Sequence, residues 1–558
     1  MANPMTNSRF AHTPINTLSR SIFDRSNSLV TSFNAGKLVP IYVEEVLPGD
    51  TVTMDFSTVT RMATPLFPVM DNAFLDVHWF FVPNRLIWDH WKNFCGESPD
   101  AWDNDTVYEI PVDNYNPTKD SLSGYFGLPQ TYQAGNPAWC EASALPRRAY
   151  QLIWNEWYRD ENLQDPVLID TGDTAGSFDQ LLPVNKYHDY FTSCLPAPQK
   201  GASVSIPLSG LAPVSTGKST IPRISYSDGA VRPLKWYTQN TSALVTGAPG
   251  SVHVYANNDG SEQYSTYANM TSATGLPDSY KGIAPSNLWA ELEKVNNPAT
   301  INMLREAFAV QRLLEADARG GTRYRELVRA HFGVDVQDYR VQVPEYLGGA
   351  HIPINIMQVV QQSSTANEPS PLGDVGGFSK TVYDGNGFTK SFVEHGILMG
   401  LVSVRTLHTY MQGIPRMFNR RTRYDFYWPE LANIGEQAVL TKEIYATGGG
   451  YDYDVFGYQE AWADYRFKPN QITGGMVFSN QANEENPRQD MMPWTYADYY
   501  EERPHLSSDW IKETDQNIAR TLAVQGDTFH QFISNFFFKS RWARPMPIYS
   551  IPGLNGHV

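Results

Sequence analysis

The sequence predicts a mainly β protein, a strand-built core opened by a very large insertion of mixed helix and loop. Three observations predict it. In Ala73–Phe94, AFLDVHWFFVPNRLIWDHWKNF, the residues Ala73, Leu75, Val77, Trp79 and Phe81 form one apolar face, while Phe74, Asp76, His78 and Phe80 form a mixed one. Such period-two alternation of aromatic and branched residues marks a strand with at least one face in a core. Residues 84–340 are mixed in character, and strand-like sequence returns in quantity only after Val341. The 40 Gly and 38 Pro favour short strands and many turns over long helices.

Taken in order, residues 1–37 are Ser/Asn/Thr-rich, with Arg9, Arg20, Arg25 and Lys37 against Asp24. They read as a mildly basic arm ordered by contact with something else. Strand sequence begins at Leu38, and Pro48-Gly49-Asp50 is a turn between two alternating runs. The Ala73 strand stops at Pro83, which cannot donate to a ladder. Asn84 is placed to cap a short helix carrying Ile87, Trp91 and Phe94. Within the insertion, helices are predicted over 146–162, with Ala149, Leu152, Ile153 and Trp157 on one face, and over 300–318, with Ile301, Leu304 and Phe308 on another. A third runs from a Thr322 cap through Phe332, and Gly333 stands where a left-handed residue ends a helix.

Residues 198–285 are rich in Ser, Thr, Gly, Ala and Asn and sparse in Leu and Ile. Fixing a residue costs about 1–2 kcal/mol and a buried Leu or Phe returns about 1.5–3 kcal/mol, so this segment cannot hold itself up as a compact domain. It reads as a surface projection, disordered or braced by copies or neighbours. Strands are expected in 387–412, 436–446 and 461–468, and no repeat of solenoid or propeller length is apparent. The division that follows is an arm at 1–37, a β core at 38–83 and 341–558, and an insertion at 84–340.

The formal charge of -16 argues against whole-surface phosphate binding, which needs Lys and Arg to displace counterions. Cys95, Cys140 and Cys194 are scattered and odd in number, which suits a reducing compartment rather than a disulfide framework or thiolate metal site. No apolar run reaches the roughly 18 residues of a membrane span, and the first residues lack the character of a secretion signal.

Several motifs carry possible chemistry. Ala212–Ser219, APVSTGKS, fits a relaxed phosphate-loop pattern, but Pro213 lies inside it and no helical pattern follows, so a plain polar loop is the better reading. Asp76 with His78, and His188 with Asp189, offer His–carboxylate pairs without any nucleophile sequence nearby; a polar pair beneath the insertion is the plainer account. Asp452 and Asp454 could share a cation, though they fall short of a full ligand loop. Arg416, Arg420, Arg421 and Arg423 interleave with Phe418 and Tyr424, and Lys539, Arg541, Trp542 and Arg544 close the chain's last strand-like run. Arginine mixed with aromatic rings suits single-stranded nucleic acid. Ion pairing with the chain's own acids is the alternative, and both stay open. No catalytic residue, cofactor or metal ligand is assigned.

Six stretches together resemble one family, the major capsid proteins of gokushoviruses, small single-stranded-DNA phages of the Microviridae. They are SIFDRSNSLVTSFNAGKLVPIYVEEVLPGDT (21–51), FVPNRLIWDHW (81–91), LPRRAYQLIWNEWYRDENLQDP (145–166), LREAFAVQRLLEADARGGTRYRELVRAHFGV (304–334), PEYLGG (344–349) and RRTRYDFYWPELANIGEQ (420–437). Residues 198–285 carry no such string. The resemblance implies an eight-stranded antiparallel jelly roll, sixty copies in a T=1 icosahedral shell around circular single-stranded DNA, and an insertion projecting near the three-fold axes. Partners implied are the chain itself, the packaged DNA, a minor or pilot protein and an unidentified host receptor, with assembly in the bacterial cytoplasm. The acidic balance adds the expectation of a separate small basic DNA-binding protein. The rival is a carbohydrate-active β-protein, lectin-like or glycosidase, supported by 14 Trp, 31 Tyr and the acidic balance.

Overall fold

The structure is a computed structural model that describes residues 19–97, 107–115, 117–129, 140–204, 301–334, 342–362, 373, 375–477, 494–523 and 529–549, with short backbone strands at 132–133, 136–137, 214–215, 223–225, 231–235, 255–256 and 289–290. The chain divides into two compact units, one of Met1–Lys200 with Leu314–Val558 and one of Gly201–Leu313. In the second, the described backbone pairs antiparallel as Val214–Ser215 with Trp289–Ala290, and as Arg223–Ser225, Val231–Lys235 and Tyr255–Ala256 in a row. Most of the expected projection at 198–285, and most of the phosphate-loop-like string, lie outside the described residues.

The first unit is built on nine strands: β1 Ser21–Asp24, β2 Asn27–Phe33, β3 Val39–Val46, β4 Thr51–Met62, β5 Ala73–Pro83, β6 Glu345–Pro353, β7 Thr381–Ser391, β8 Gly396–Thr406 and β9 Phe532–Arg544. β1 and β2 lie along the same partner, β9, from Ser21 opposite Arg544 to Phe33 opposite Phe532. They are one strand broken where the Asp24 carboxylate accepts from Ser26 N at 3.0 Å, a side-chain-closed turn. One sheet runs β1/β2–β9–β4–β7 and the other β6–β5–β8–β3, all antiparallel. With β1/β2 counted as one position, the orders are 1-8-3-6 and 5-4-7-2, which is jelly-roll connectivity. Residues 21–33 are therefore a sandwich strand and not an arm awaiting another chain. The sequence hid this because the outward positions mix apolar Ile22 and Val30 with Asp24, Ser28 and Ser32, which blurs the alternation of a strand whose inward residues are Phe23, Leu29 and Phe33.

The strand faces explain the core. Val52, Met54 and Phe56 of β4, Trp79 and Phe81 of β5, and Phe532, Phe536, Phe538 and Trp542 of β9 point between the sheets. Trp79 sits at the centre, its ring edge-on to Tyr42 at 5.6 Å and to Phe538 at 5.7 Å. Gly400 on β8 makes room for it, since a Cβ there would lie 2.6 Å from the indole.

The other face of β5 carries a second core. Phe80 and Val82, with Ile397, Met399 and Leu401 of β8, meet Leu145, Ala149, Tyr150 and Ile153 of helix α1, Leu145–Ile153. This helix starts one residue before its predicted place and passes into a π-turn at Trp154–Tyr158. Tyr150 donates to Leu38 O at 2.7 Å, which fastens the insertion to the sandwich. Asn84 does not cap the short helix: Pro83 holds the N-cap position of a 3-10 turn at Asn84–Leu86, and Trp91–Phe94 follows as a separate turn. Helices α2, Ile301–Gly320, and α3, Tyr324–Phe332, occur where predicted, and Gly333 ends α3 at φ 67°. Arg323, not Thr322, is the α3 N-cap.

Between β8 and β9 the chain makes a second long excursion, residues 407–531, which the sequence reading had merged with the core. The expected strand at 436–446 is Glu436–Leu440 followed by a helical turn at Thr441–Ile444, paired with Val455–Glu460. The expected strand at 461–468 is a 3-10 turn at Ala463–Tyr465, where the paired hairpin has ended. The run 387–412 divides between β7 and β8. Tyr190, Phe191 and Cys194 of the first excursion share a core with Tyr410, Val439, Ile444 and Phe456 of the second. Within the second excursion His408 is buried with Nδ1 2.8 Å from Asp498 and Nε2 2.9 Å from Glu513. Among the described residues no helix is long and apolar enough to cross a membrane.

Candidate nucleic-acid interface and assembly surfaces

The eight basic and aromatic residues singled out from the sequence fall into two places. The first is the opening of the second excursion, where 3-10 turns at Arg416–Asn419, Arg423–Asp425 and Pro429–Leu431 follow one another. Arg416 turns inward: its Nη1 donates to Ala438 O at 3.1 Å and lies 3.4 Å from Glu443. Burial disfavours its charge, but Glu443 outweighs burial and holds the guanidinium pKa above its usual value. Arg420 pairs with Asp464, donates to Asp425 O at 2.9 Å and lies 4.3 Å over the Tyr465 ring. Arg421 and Arg423 are exposed, Arg423 lying 4.6 Å over Trp428.

The second place is β9. Its alternation is strict: Phe532, Ser534, Phe536, Phe538, Ser540 and Trp542 face inward, while Ile533, Asn535, Phe537, Lys539 and Arg541 face out. Trp542 is fully buried, so it stacks on no base; strand parity, set by its neighbours Phe536 and Phe538, sends it to the core. Arg544 donates Nε to Asp50 at 3.0 Å and Nη2 to Glu45 O at 2.8 Å, and covers Trp542 at 4.4 Å. Arg416, Arg420 and Arg544 are thus committed to acids of this chain. Arg421, Arg423, Lys539 and Arg541 present their side chains outward.

Sequence reasoning missed what surrounds Lys539 and Arg541. Register sets Asp55 across from Lys539, Thr53 and Asp24 across from Arg541, and Arg61 across from Ile533. The outward face of this sheet also shows Ile22, Val30, Val59, Val382, Ile533 and Phe537 to solvent. Its cations Arg61, Lys539 and Arg541 are matched by Asp24, Asp55 and Asp384, so the face is apolar and charge-balanced, not basic. The signal was available in the second half of each alternating run, once both parities were read.

The His–carboxylate pairs are structural. Asp76 is buried and accepts from Tyr187 at 2.6 Å and from Arg405 Nε at 3.0 Å, with His351 Nδ1 at 2.6 Å. Burial pushes its pKa up, but Arg405 and these hydrogen bonds win and hold it low. His78 bonds Tyr158 instead, at 2.7 Å, and burial lowers its pKa to about 4. Asp189 accepts from Phe191 N and Thr192 N at 2.9 and 2.8 Å, a turn-closing role. Asp452 accepts from Thr447 N and Gly448 N at 3.0 and 2.8 Å, while Asp454 pairs with Arg503 at 2.6 Å. Among the described residues no group of three or more His, Cys, Asp or Glu is arranged to hold a metal ion.

A jelly roll with two long excursions is an architecture of viral coat subunits, shared with lectins and cupins, so the fold narrows the class and sequence relatives decide it. Comparison with known proteins agrees. The family model for the phage capsid protein (F protein) matches residues 11–554. The chain is 38% identical to capsid protein VP1 of Bdellovibrio phage phiMH2K over 560 residues, covering 98% of each chain. It is 38% identical to VP1 of Chlamydia phage 1, covering 98% of this chain and 97% of that one. Against VP1 of Spiroplasma virus 4 it is 36% identical, covering 97% of this chain and 96% of that one. The chain belongs to the phage capsid protein (F protein) family, a family of structural proteins. The gokushovirus resemblance read from the sequence is borne out, and the carbohydrate-active rival falls away.

Proposed function

We propose that this chain is the major capsid protein of a small phage and that its copies close into a T=1 shell of sixty around circular single-stranded DNA. The observation that carries the reading is the full-length family match on a sandwich whose two outer faces differ, one sealed by α1 and one open. Modest interfaces suffice for such a shell, because symmetry repeats each of them. The composition of 198–285 suits a projection braced by other copies, and host attachment is assigned to it.

Of the eight residues first singled out, Lys539 and Arg541 are the ones assigned to DNA, with Phe537 beside them as a stacking surface. Their sheet face carries no cationic surplus, so the phosphates need cations from elsewhere, and a separate small basic protein is the assigned source. A minor pilot protein and assembly in the host cytoplasm complete the reading. The test is a Lys539→Glu/Arg541→Glu chain expressed with the phage genome. Particles are expected to form with normal diameter but a lowered ratio of absorbance at 260 nm to that at 280 nm; an unchanged ratio removes these residues from DNA contact. Purified DNA-filled particles that contain no basic polypeptide remove the companion protein.

A further inference from the structure

The second excursion holds a feature that neither its own core nor the DNA assignment uses. A cavity of about 230 Å³ opens among Phe191, Tyr410, Met417 and Phe467, with Arg416, Glu443 and Asp464 at its polar side. Glu443 accepts from Tyr190 there, but Asp464 Oδ1 is buried with no hydrogen-bond partner. A buried acceptor without a donor is costly, so a donor brought to this site from outside the chain would be favoured. Met417, which lines the cavity, is 62% exposed, and the loop that continues from it exposes a run of large apolar side chains, Phe418 at 71% and Tyr424 at 74%.

This stretch is cross-braced by hydrogen bonds. Thr422 N donates to the Asp425 carboxylate at 2.6 Å, Trp428 Nε1 to Arg423 O at 3.0 Å, and Trp462 Nε1 to Leu431 O at 2.9 Å. Arg420 is held between Asp464 and the Tyr465 ring. A braced backbone that presents exposed aromatic and arginine side chains has the composition of an interface hot spot, and less backbone ordering entropy is lost on binding.

We propose that Pro415–Trp428, together with the cavity that its first three residues line, is a contact between copies of this chain, the cavity receiving a Tyr or Trp side chain whose O–H or N–H meets Asp464 Oδ1. The proposal rests on the capsid reading and deepens it. A second copy is the occupant for two reasons. The family is one of self-assembling proteins. Arg421 and Arg423 stand exposed on this patch of a chain whose net charge is -16, so another copy offers the acidic complement.

The experiment uses the full chain as Phe418→Asp/Tyr424→Asp and, separately, Met417→Trp, which fills the cavity from within. Both are expected to raise the concentration needed for shell formation at least about tenfold, while the far-UV spectrum and melting temperature of the dissociated chain stay those of wild type. Amide exchange over 414–428 is expected to slow in DNA-free wild-type shells relative to dissociated chain. Shells at wild-type concentration from both variants, or equal exchange in the two states, overturn the proposal. Protection that appears only when DNA is present assigns the stretch to nucleic acid and overturns it as well. Wild-type chain that forms no shells sinks the capsid reading itself, and this contact with it.

Discussion

Trp79 and Gly400 form one packing unit, and a double-mutant cycle on them measures how tightly the sandwich is closed. The indole is fully buried, and Tyr42, Phe56, Phe388 and Phe538 surround it at ring separations of 5.6, 6.1, 5.7 and 5.7 Å. It has no free direction in which to move. A methyl on Gly400 would lie 2.6 Å from the ring, so Gly400→Ala forces overpacking that costs about 1–3 kcal/mol. Trp79→Ala removes the ring and leaves a cavity, at about 3–5 kcal/mol. In the double variant the new methyl enters vacated space and the clash disappears. The double should therefore cost no more than Trp79→Ala alone, a coupling of about 1–3 kcal/mol between sites in contact. Urea unfolding of the dissociated chain, followed by far-UV circular dichroism, reads each value. Costs that add to within about 0.5 kcal/mol would mean the ring has room to yield, and the picture of a closed core would be wrong.

Three further outcomes follow from buried groups. Burial disfavours the imidazolium of His408, but Asp498 and Glu513 outweigh it and raise its pKa to about 10 from 6.5. Its stabilisation is complete below pH 6.5 and lost as pH climbs through about 10, so the urea midpoint of wild type minus that of His408→Gln should shrink across that window; a constant difference refutes the charged pairing. Asp113 is buried in an ion pair with Arg147 and also accepts from Gly176 N at 2.6 Å. Asp113→Ala leaves a buried guanidinium unpaired and should cost about 3–5 kcal/mol in the same assay, and a loss under about 1 kcal/mol would show that water reaches the site. Gly36 has φ 75° and a Cβ there would lie 2.6 Å from Glu513 O, so Gly36→Ala should cost at least about 1–3 kcal/mol, and a neutral result would mean that the β2–β3 corner relaxes.

Strand β5 was legible because its inward side is wholly apolar, and α1 and α3 because their stripes and the Gly333 stop are local signals. The β1/β2 strand was not, since its outward Ile22 and Val30 stand among Asp24, Ser28 and Ser32, and only pairing with β9, hundreds of positions away, makes its inward face evident. Nor could sequence tell that the run after Thr406 leaves the sandwich: Glu436–Leu440 and Val455–Glu460 are true strands, but they pair with each other and not with the sheets. The basic residues show the same limit. Arginines beside aromatic rings read identically whether they await phosphate or already hold a carboxylate, and Asp464, Glu443 and Asp50 lie too far along the chain from Arg420, Arg416 and Arg544 to be matched by eye. Trp542 is the exception, because its parity with Phe536 and Phe538 was on the page.

The two outer faces of the sandwich carry the functional argument further. One is sealed by α1, which turns β5's second face into core and gives the excursions a rigid base. The other keeps Val30, Val59, Val382, Ile533 and Phe537 in solvent, an apolar area that a protein working alone would cover or dilute. Evenly matched charge on that face gives little long-range pull on a polyanion, so it suits bases or an apolar partner segment better than phosphates. On the DNA assignment proposed above, such a face would hold the genome by short-range contact once something else has neutralised it. Removing acids by substitution of Asp55 and Asp384 to Asn, which leaves Arg61, Lys539 and Arg541 in excess on this face, should therefore increase salt-sensitive DNA retention in shells that lack any basic companion.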